Sequence, residues 1–290
     1  MRSSSDTGES GETTDTKDQN EKCDNSDSKN LYIVGIGPGD IDHMSKKAFD
    51  IIESADIIVG YTTYIELIKE LVEGKTIIST SMKKEVDRVQ AAIDSALGGK
   101  KTVIISSGDP GIYAMAGLAF EICEQKDIPI IRSGYEATAL ERKFSLQIEV
   151  IPGIPALSSG ASLLGAPLTH DFAVISLSDL LTPWKQIEKR VEGAAMADFS
   201  IVLFNPKSKK RDWQLAKAQE LILKHRDPET PVGIVKSAMR EEESVKITTL
   251  GNLDHADVDM LTTVFVGNST TSEYMNFMIT PRGYGKKYTL

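Results

Sequence analysis

Residues 31–40 read LYIVGIGPGD, a short apolar run that breaks into glycine and proline. A short apolar run of this kind, closed by glycines, is the signature of a buried parallel strand. SKKAFDIIESA (45–55) then places Ala48, Phe49, Ile52 and Ala55 on one helical face, with Ser45 as N-cap. DIIVGY (56–61), KTIIST (75–80), KTVIISSGD (101–109) and IPIIRSG (128–134) repeat the strand pattern, and helices are predicted near 62–72, 83–97 and 113–125 between them. Strand–helix alternation implies a parallel sheet covered by helices.

A second set begins around EVIPGIPA (149–156), with strands predicted at FAVISL, FSIVLFN, TPVGIVK, SVKITTLGNL and LTTVFVG and helices near 155–164, 184–194 and 212–224. Its last strands follow one another with no room for helices, so the second half reads as mixed α/β. The expected organisation is a tail at 1–29, one α/β domain at 30–150 and another at 151–290, with a cleft between them.

The tail has no aliphatic or aromatic residue beyond Met1 and sets eight acids against four bases, so it is expected to be disordered. It lacks the apolar core of a secretory signal and is too acidic for a transit peptide. The whole chain has 290 residues, 40% hydrophobic and 26% charged, with a net charge of −9. No apolar stretch is long enough to span a membrane, and the acidic balance disfavours a nucleic-acid partner. Cys23 and Cys123 are a hundred residues apart, too far in sequence to suggest a metal cluster or disulfide framework. No metal is expected, and a cytoplasmic protein is.

The turns at strand ends carry the functional information. Gly35-Ile36-Gly37-Pro38-Gly39-Asp40 invites a dinucleotide reading but fits it poorly. Asp40 stands where the third glycine belongs, and Pro38 lacks the amide that would cradle a phosphate. Ser107-Gly108-Asp109-Pro110-Gly111-Ile112-Tyr113 closes another strand, with Asp109 either capping the next helix or meeting a ligand. Pro152-Gly153-Ile154-Pro155-Ala156 and Leu203-Phe204-Asn205-Pro206 add two more turns. Ligands of open α/β sheets bind at the carboxyl ends of strands, so all four are expected to face one crevice.

Taken in this order, GIGPGD, SGDPGIY, PGIPA and LFNP resemble the tetrapyrrole (corrin/porphyrin) methylases. VISLSDLLTPW (174–184), TPVGIVKSAMR (230–240), ITTLGNL (247–253) and VFVGNST (264–270) resemble the branch acting on C(17) of precorrin-3B or cobalt-precorrin-3B. The resemblance covers about residues 30–283. It implies the two-domain fold of that family, with a mainly parallel N-terminal sheet, a mixed C-terminal sheet and S-adenosyl-L-methionine in the cleft. It also implies a homodimer and a role in cobalamin biosynthesis. Carried over by motif, the cofactor contacts are Pro38, Ser107, Gly108, Asp109, Ile112, Pro155, Ala156, Asn205 and Ala238. In this branch methyl transfer is accompanied by ring contraction, which expels the C(20) region into a δ-lactone and requires proton transfers. His170, Asp171 and Asp179, flanking a strand of the second half, are the acid–base candidates; a helix cap is the structural alternative for Asp179. The anionic substrate calls for cations, and Lys207, Lys209, Lys210, Arg211, Lys236 and Arg240 follow strands expected to line the cleft. Other readings of the same motifs are another tetrapyrrole methylase, diphthine synthase, or a regulator that only binds nucleotide.

Overall fold

A computed structural model describes residues 29–81, 83–208 and 211–289; the expectation of a disordered tail concerns residues that, apart from Lys29, lie outside these. The first half runs β1 (Asn30–Gly35), α1 (Lys46–Glu53), β2 (Ile57–Tyr61), α2 (Thr62–Glu66), β3 (Thr76–Thr80), α3 (Glu85–Leu97), β4 (Thr102–Ser106), α4 (Met115–Gln125), β5 (Ile130–Arg132), α5 (Ala139–Phe144) and β6 (Leu146–Ile151). Its six strands form one wholly parallel sheet in the order β3-β2-β4-β1-β6-β5.

The sheet is coated on both faces because its strands alternate two apolar sets. Leu31, Ile33, Val59, Ile104 and Ile148 pack against Val89, Ala92 and Ile93 of α3 and Ala119 and Ile122 of α4. Val34, Ile58, Val103 and Ile151 pack against Ala48, Ile51 and Ile52 of α1. Ser45 caps α1 as expected, accepting from the Ala48 amide, but Ile51 and not Phe49 completes its buried stripe. Burial of Cys123 in this core pushes its thiol pKa up, as suits a structural thiol.

The second half runs α6 (Ala156–Leu164), β7 (Gly165–Ala166), β8 (Phe172–Ser176), α7 (Trp184–Met196), β9 (Ser200–Phe204), α8 (Gln214–Leu223), β10 (Pro231–Lys236), β11 (Ser244–Thr249), β12 (Thr262–Val266), β13 (Ser272–Tyr274) and β14 (Phe277–Ile279). Five strands form a mixed sheet in the order β11-β10-β12-β9-β8, in which only β8 and β9 are parallel. A small sheet, β13-β14-β7, lies beside it. Phe265 on β12, fully buried, packs with Leu164, Val202 and Val235 and with Gly160 of α6.

Two expectations are revised, and further elements are added. The helix predicted over 62–72 is two short pieces, α2 and a 3-10 turn at Lys69–Leu71. The strand predicted over 244–253 stops at Thr249, because Leu250 and Leu253 turn inward on a 3-10 segment to reach the core. Helix α5, held by a capping box between Thr138 and Glu141, and the β13–β14 pair were not anticipated. Among the described residues no helix is long and apolar enough to cross a membrane.

Candidate functional site

Strands β4, β1 and β6 are neighbours at the centre of the first sheet. The connection after β1 leads to one side of the sheet and the connection after β4 to the other, so their carboxyl ends form a switch point, the usual ligand crevice of such sheets. There the three turns pack backbone to backbone. Gly37 and Gly108 exchange two N–H···O bonds of 3.2 and 2.7 Å. A Cβ on Gly35 would stand 2.5 Å from the Gly108 carbonyl oxygen, and one on Gly153 would stand 2.2 Å from it. Only glycine permits that approach. Gly108 differs: its added Cβ would meet ordinary contacts, and the constraint is its φ of +67°.

Asp109 does not cap the next helix. Helix α4 starts at Met115, after Ala114 and without a side-chain cap, while the Asp109 carboxylate accepts from the amides of Gly111 (2.8 Å) and Gly153 (3.2 Å). It ties the SGDP turn to the PGIPA turn, a role the distance in sequence concealed.

The second sheet closes over these turns through two cross-links. The Tyr113 hydroxyl donates to the Val174 carbonyl (3.0 Å) and accepts from the Ser176 amide (3.2 Å), with its ring 5.6 Å from that of Phe204. Arg240 reaches back from beyond β10 to donate to the Pro38 carbonyl and to the Ser107 hydroxyl (2.9 Å). Tyr113, Asn205 and Ser237, all on this perimeter, carry φ values of 52°, 53° and 49°. Left-handed conformations at non-glycine residues are strained and persist where the surroundings hold them. Asn205 is held by its side chain, which donates to the Ser176 hydroxyl (3.0 Å), and by Arg211, which donates to its carbonyl (3.1 Å).

The result is a cavity of about 360 Å³ lined from both sheets, within the range of small-molecule sites. All nine positions carried over by motif as cofactor contacts lie on its wall, from Pro38 through the SGDP and PGIPA turns to Asn205 and Ala238. Of the substrate candidates among the described residues only Arg240 lines it. Burial pushes the Arg240 guanidinium pKa below its ordinary value, and Tyr64 partly offsets this. Lys236 is instead paired with Asp259 (2.7 Å), and Lys207 is exposed outside the cavity. Lys209 and Lys210 lie outside the described residues.

None of the three acid–base candidates lines the cavity. His170 sits with Asp171 on a separate surface hollow beside Asp198 and Ser269, its Nδ1 accepting from the Asp171 amide (2.8 Å). Asp179 accepts from Gln214 (3.0 Å) and faces Arg211. It caps no helix, because α7 begins five residues later, after Pro183.

Sequence reasoning missed Tyr61, Tyr64, Arg88 and Met115, which complete the wall on the side of the first sheet. EVDRVQAAIDSAL spreads Glu85, Asp87, Arg88 and Asp94 along α3. Arg88, however, lies four and eight residues before Ala92 and Ala96, on the buried stripe, and is only 4% exposed. That spacing was the signal available.

The model of the tetrapyrrole (corrin/porphyrin) methylases matches residues 30–254. A cobalt-factor III methyltransferase of Priestia megaterium is 49% identical over 260 residues; they make up 90% of this chain but only 46% of that protein, so this chain spans less than half of its length. The probable cobalt-factor III C(17)-methyltransferase of Salmonella typhimurium is 46% identical over 254 residues, 88% of this chain and 99% of that one. The crystal structure of the methyltransferase CobJ superposes with a TM-score of 0.76 at 33% identity, covering 87% of this chain and 99% of that one.

Proposed function

The chain belongs to the tetrapyrrole (corrin/porphyrin) methylases, and on that premise we propose that it transfers a methyl group from S-adenosyl-L-methionine to C(17) of a cobalt-factor III or (cobalt-)precorrin-3B macrocycle in cobalamin biosynthesis. The observation that carries the reading is the cavity at the carboxyl ends of β1, β4 and β6, walled by the motif turns of both sheets. The names of the relatives support the acceptor.

The make-up of the wall supports the cofactor. It offers closely packed glycine backbone at Gly108, small apolar surface at Pro38, Pro155, Ala156 and Ala238, and the Asn205 amide. Such a lining grips a flat heterocycle by van der Waals contact and backbone polar groups. When bound, the cofactor supplies a methyl already activated on a sulfonium, so no protein nucleophile is required.

The protein's own contribution is placement. The Gly37–Gly108 bond pair and the Asp109 carboxylate fix the three turns relative to one another. Tyr113 and Arg240 lock the second sheet over them, which aligns donor and acceptor and excludes water. Arg240 also supplies positive charge for a polycarboxylate substrate. The working unit proposed is a homodimer, and a monomer by light scattering contradicts that part. Incubation with S-adenosyl-L-methionine and cobalt-factor III tests the activity. A product one methyl heavier, with S-adenosylhomocysteine formed in equal amount, is expected. Cofactor binding without consumption of any tetrapyrrole refutes the reading.

A further inference from the structure

Arg88 is a buried cation without an acid. Its Nε donates to the Thr80 hydroxyl (2.8 Å), one terminal nitrogen to the Ser81 carbonyl (3.1 Å) and the other only to the Met115 sulfur (3.9 Å). The guanidinium lies 5.9 Å from the centre of the Tyr61 ring, which in turn meets Tyr64 edge-on at 5.3 Å. Among the described residues no carboxylate pairs with it, although it is 4% exposed and lines the cavity. Buried arginines are ordinarily paired with an acid, since burying an unpaired charge is costly. A guanidinium has five N–H donors, and its strong partners here take two of them.

A second unpaired arginine lies on the same wall. Among the described residues Arg240 donates only to the Pro38 carbonyl and the Ser107 hydroxyl. Tyr64 joins the two: burial pushes its phenol pKa up, and the charges of Arg240 and Arg88 both pull it back. Two guanidiniums without an acid therefore line one recess together with Tyr61 and Tyr64. The acids on this wall are engaged elsewhere. Asp109 holds the Gly111 and Gly153 amides, and Glu85 accepts from the Lys83 amide (3.1 Å).

The side of the recess formed by Tyr61, Tyr64 and Arg88 falls outside the cofactor set, whereas its Arg240 side holds Pro38 and Ser107. None of the nine cofactor positions belongs to β2, α2 or α3, the elements that carry Tyr61, Tyr64 and Arg88. We propose that Arg88, seated on Tyr61 and acting with Arg240, binds a peripheral carboxylate of the macrocyclic substrate and so sets its orientation at the methyl donor. The planar fork of arginine suits two-point binding of a carboxylate. The missing counter-charge would arrive with the substrate. The proposal rests on the methyltransferase reading above and adds a specificity residue to it.

The test uses the full chain and first requires that the wild-type protein methylate the tetrapyrrole; if it does not, the functional reading falls, independently of Arg88. With activity established, Arg88→Met and Arg88→Lys are compared for melting temperature, S-adenosyl-L-methionine affinity by calorimetry, and KM and kcat toward the tetrapyrrole. Loss of a charged two-point contact is expected to raise KM by roughly ten- to hundredfold in Arg88→Met, with a smaller rise in Arg88→Lys and unchanged cofactor affinity in both. Wild type should also prefer the free acid over its methyl ester, and Arg88→Met should lose that preference, which a purely structural residue would not produce. An unchanged KM, a parallel loss of cofactor affinity, or retained acid-over-ester preference overturns the proposal. Failure of both variants to fold makes Arg88 a structural residue and overturns it equally.

Discussion

Gly153→Ala is the substitution that tests the packing of the site most sharply. The added methyl would lie 2.2 Å from the Gly108 carbonyl oxygen and 2.8 Å from the carbonyl carbon and oxygen of Gly35. All three atoms are backbone, so no rotamer change relieves the clash, and the turns must separate by roughly an ångström to reach ordinary contact. Overpacking of this kind costs about 1–3 kcal/mol, and the Gly153–Asp109 hydrogen bond that separation would break adds about 1 kcal/mol, for a loss of roughly 2–4 kcal/mol. In a protein of this size that is a fall of roughly 5–15 °C in melting temperature. Because the same turns carry the cofactor positions, the folded fraction should also lose turnover by about a hundredfold, the typical cost of an ångström of misplacement. Differential scanning calorimetry and single-turnover kinetics on the same sample read both effects. Gly193→Ala is the control: it lies within α7 with nothing within 4 Å of its added Cβ, and it should gain about 0.5–1 kcal/mol. If Gly153→Ala melts and turns over like wild type, the three turns are not packed as described.

Gly160→Ala would place a methyl 2.7 Å from the Phe265 ring, so it should destabilise alone but far less beside Phe265→Leu; additive losses in denaturant unfolding would contradict that contact. Asp198 is pushed up by burial, but the Ser269 hydroxyl and amide and the Arg226 charge outweigh this and hold its pKa below the ordinary carboxylate value. The resulting stability is present above that ordinary value and is lost as pH falls through the lower, folded-state one. Asp198→Asn tolerates the same left-handed backbone, so it should be less stable than wild type at neutral pH and converge with it in acid; a constant gap in thermal melts from neutral pH into acid argues against the pairing. Asp179→Asn weakens the contact with Gln214 and should cost about 1 kcal/mol with near-normal turnover. His170→Gln, outside the cavity, should leave turnover unchanged. A fall of a hundredfold in either variant would return that residue to the proton-transfer steps.

What could be read in the sequence was what is local. Glycine and proline at strand ends announced the turns, and Ser45 its cap, because each acts within a few residues. The parallel and mixed sheets followed from whether helices fit between strands. Strand order, by contrast, depends on pairings such as β1 with β4, some seventy residues apart, which no local pattern encodes. The roles of Asp109 and Arg240 were hidden for the same reason: Asp109 bonds across 44 residues and Arg240 across 202. Arg88 was concealed by a different effect. Its helix carries charges on several faces, and only its alignment with Ala92 and Ala96 marks it as inward. His170 and Asp179 were selected for flanking a strand in the distinguishing segment, and position along the chain did not place them on the cavity.

The destination of the methyl carbon tests the central claim most directly. Wild-type protein is incubated with S-adenosyl-L-methionine carrying a ¹³C-labelled methyl group and with cobalt-factor III, and the purified product is examined by NMR. The account predicts one enriched methyl bonded to C(17), formed about a hundredfold more slowly in Gly153→Ala. Enrichment at any other ring carbon, or none in the tetrapyrrole, would contradict it.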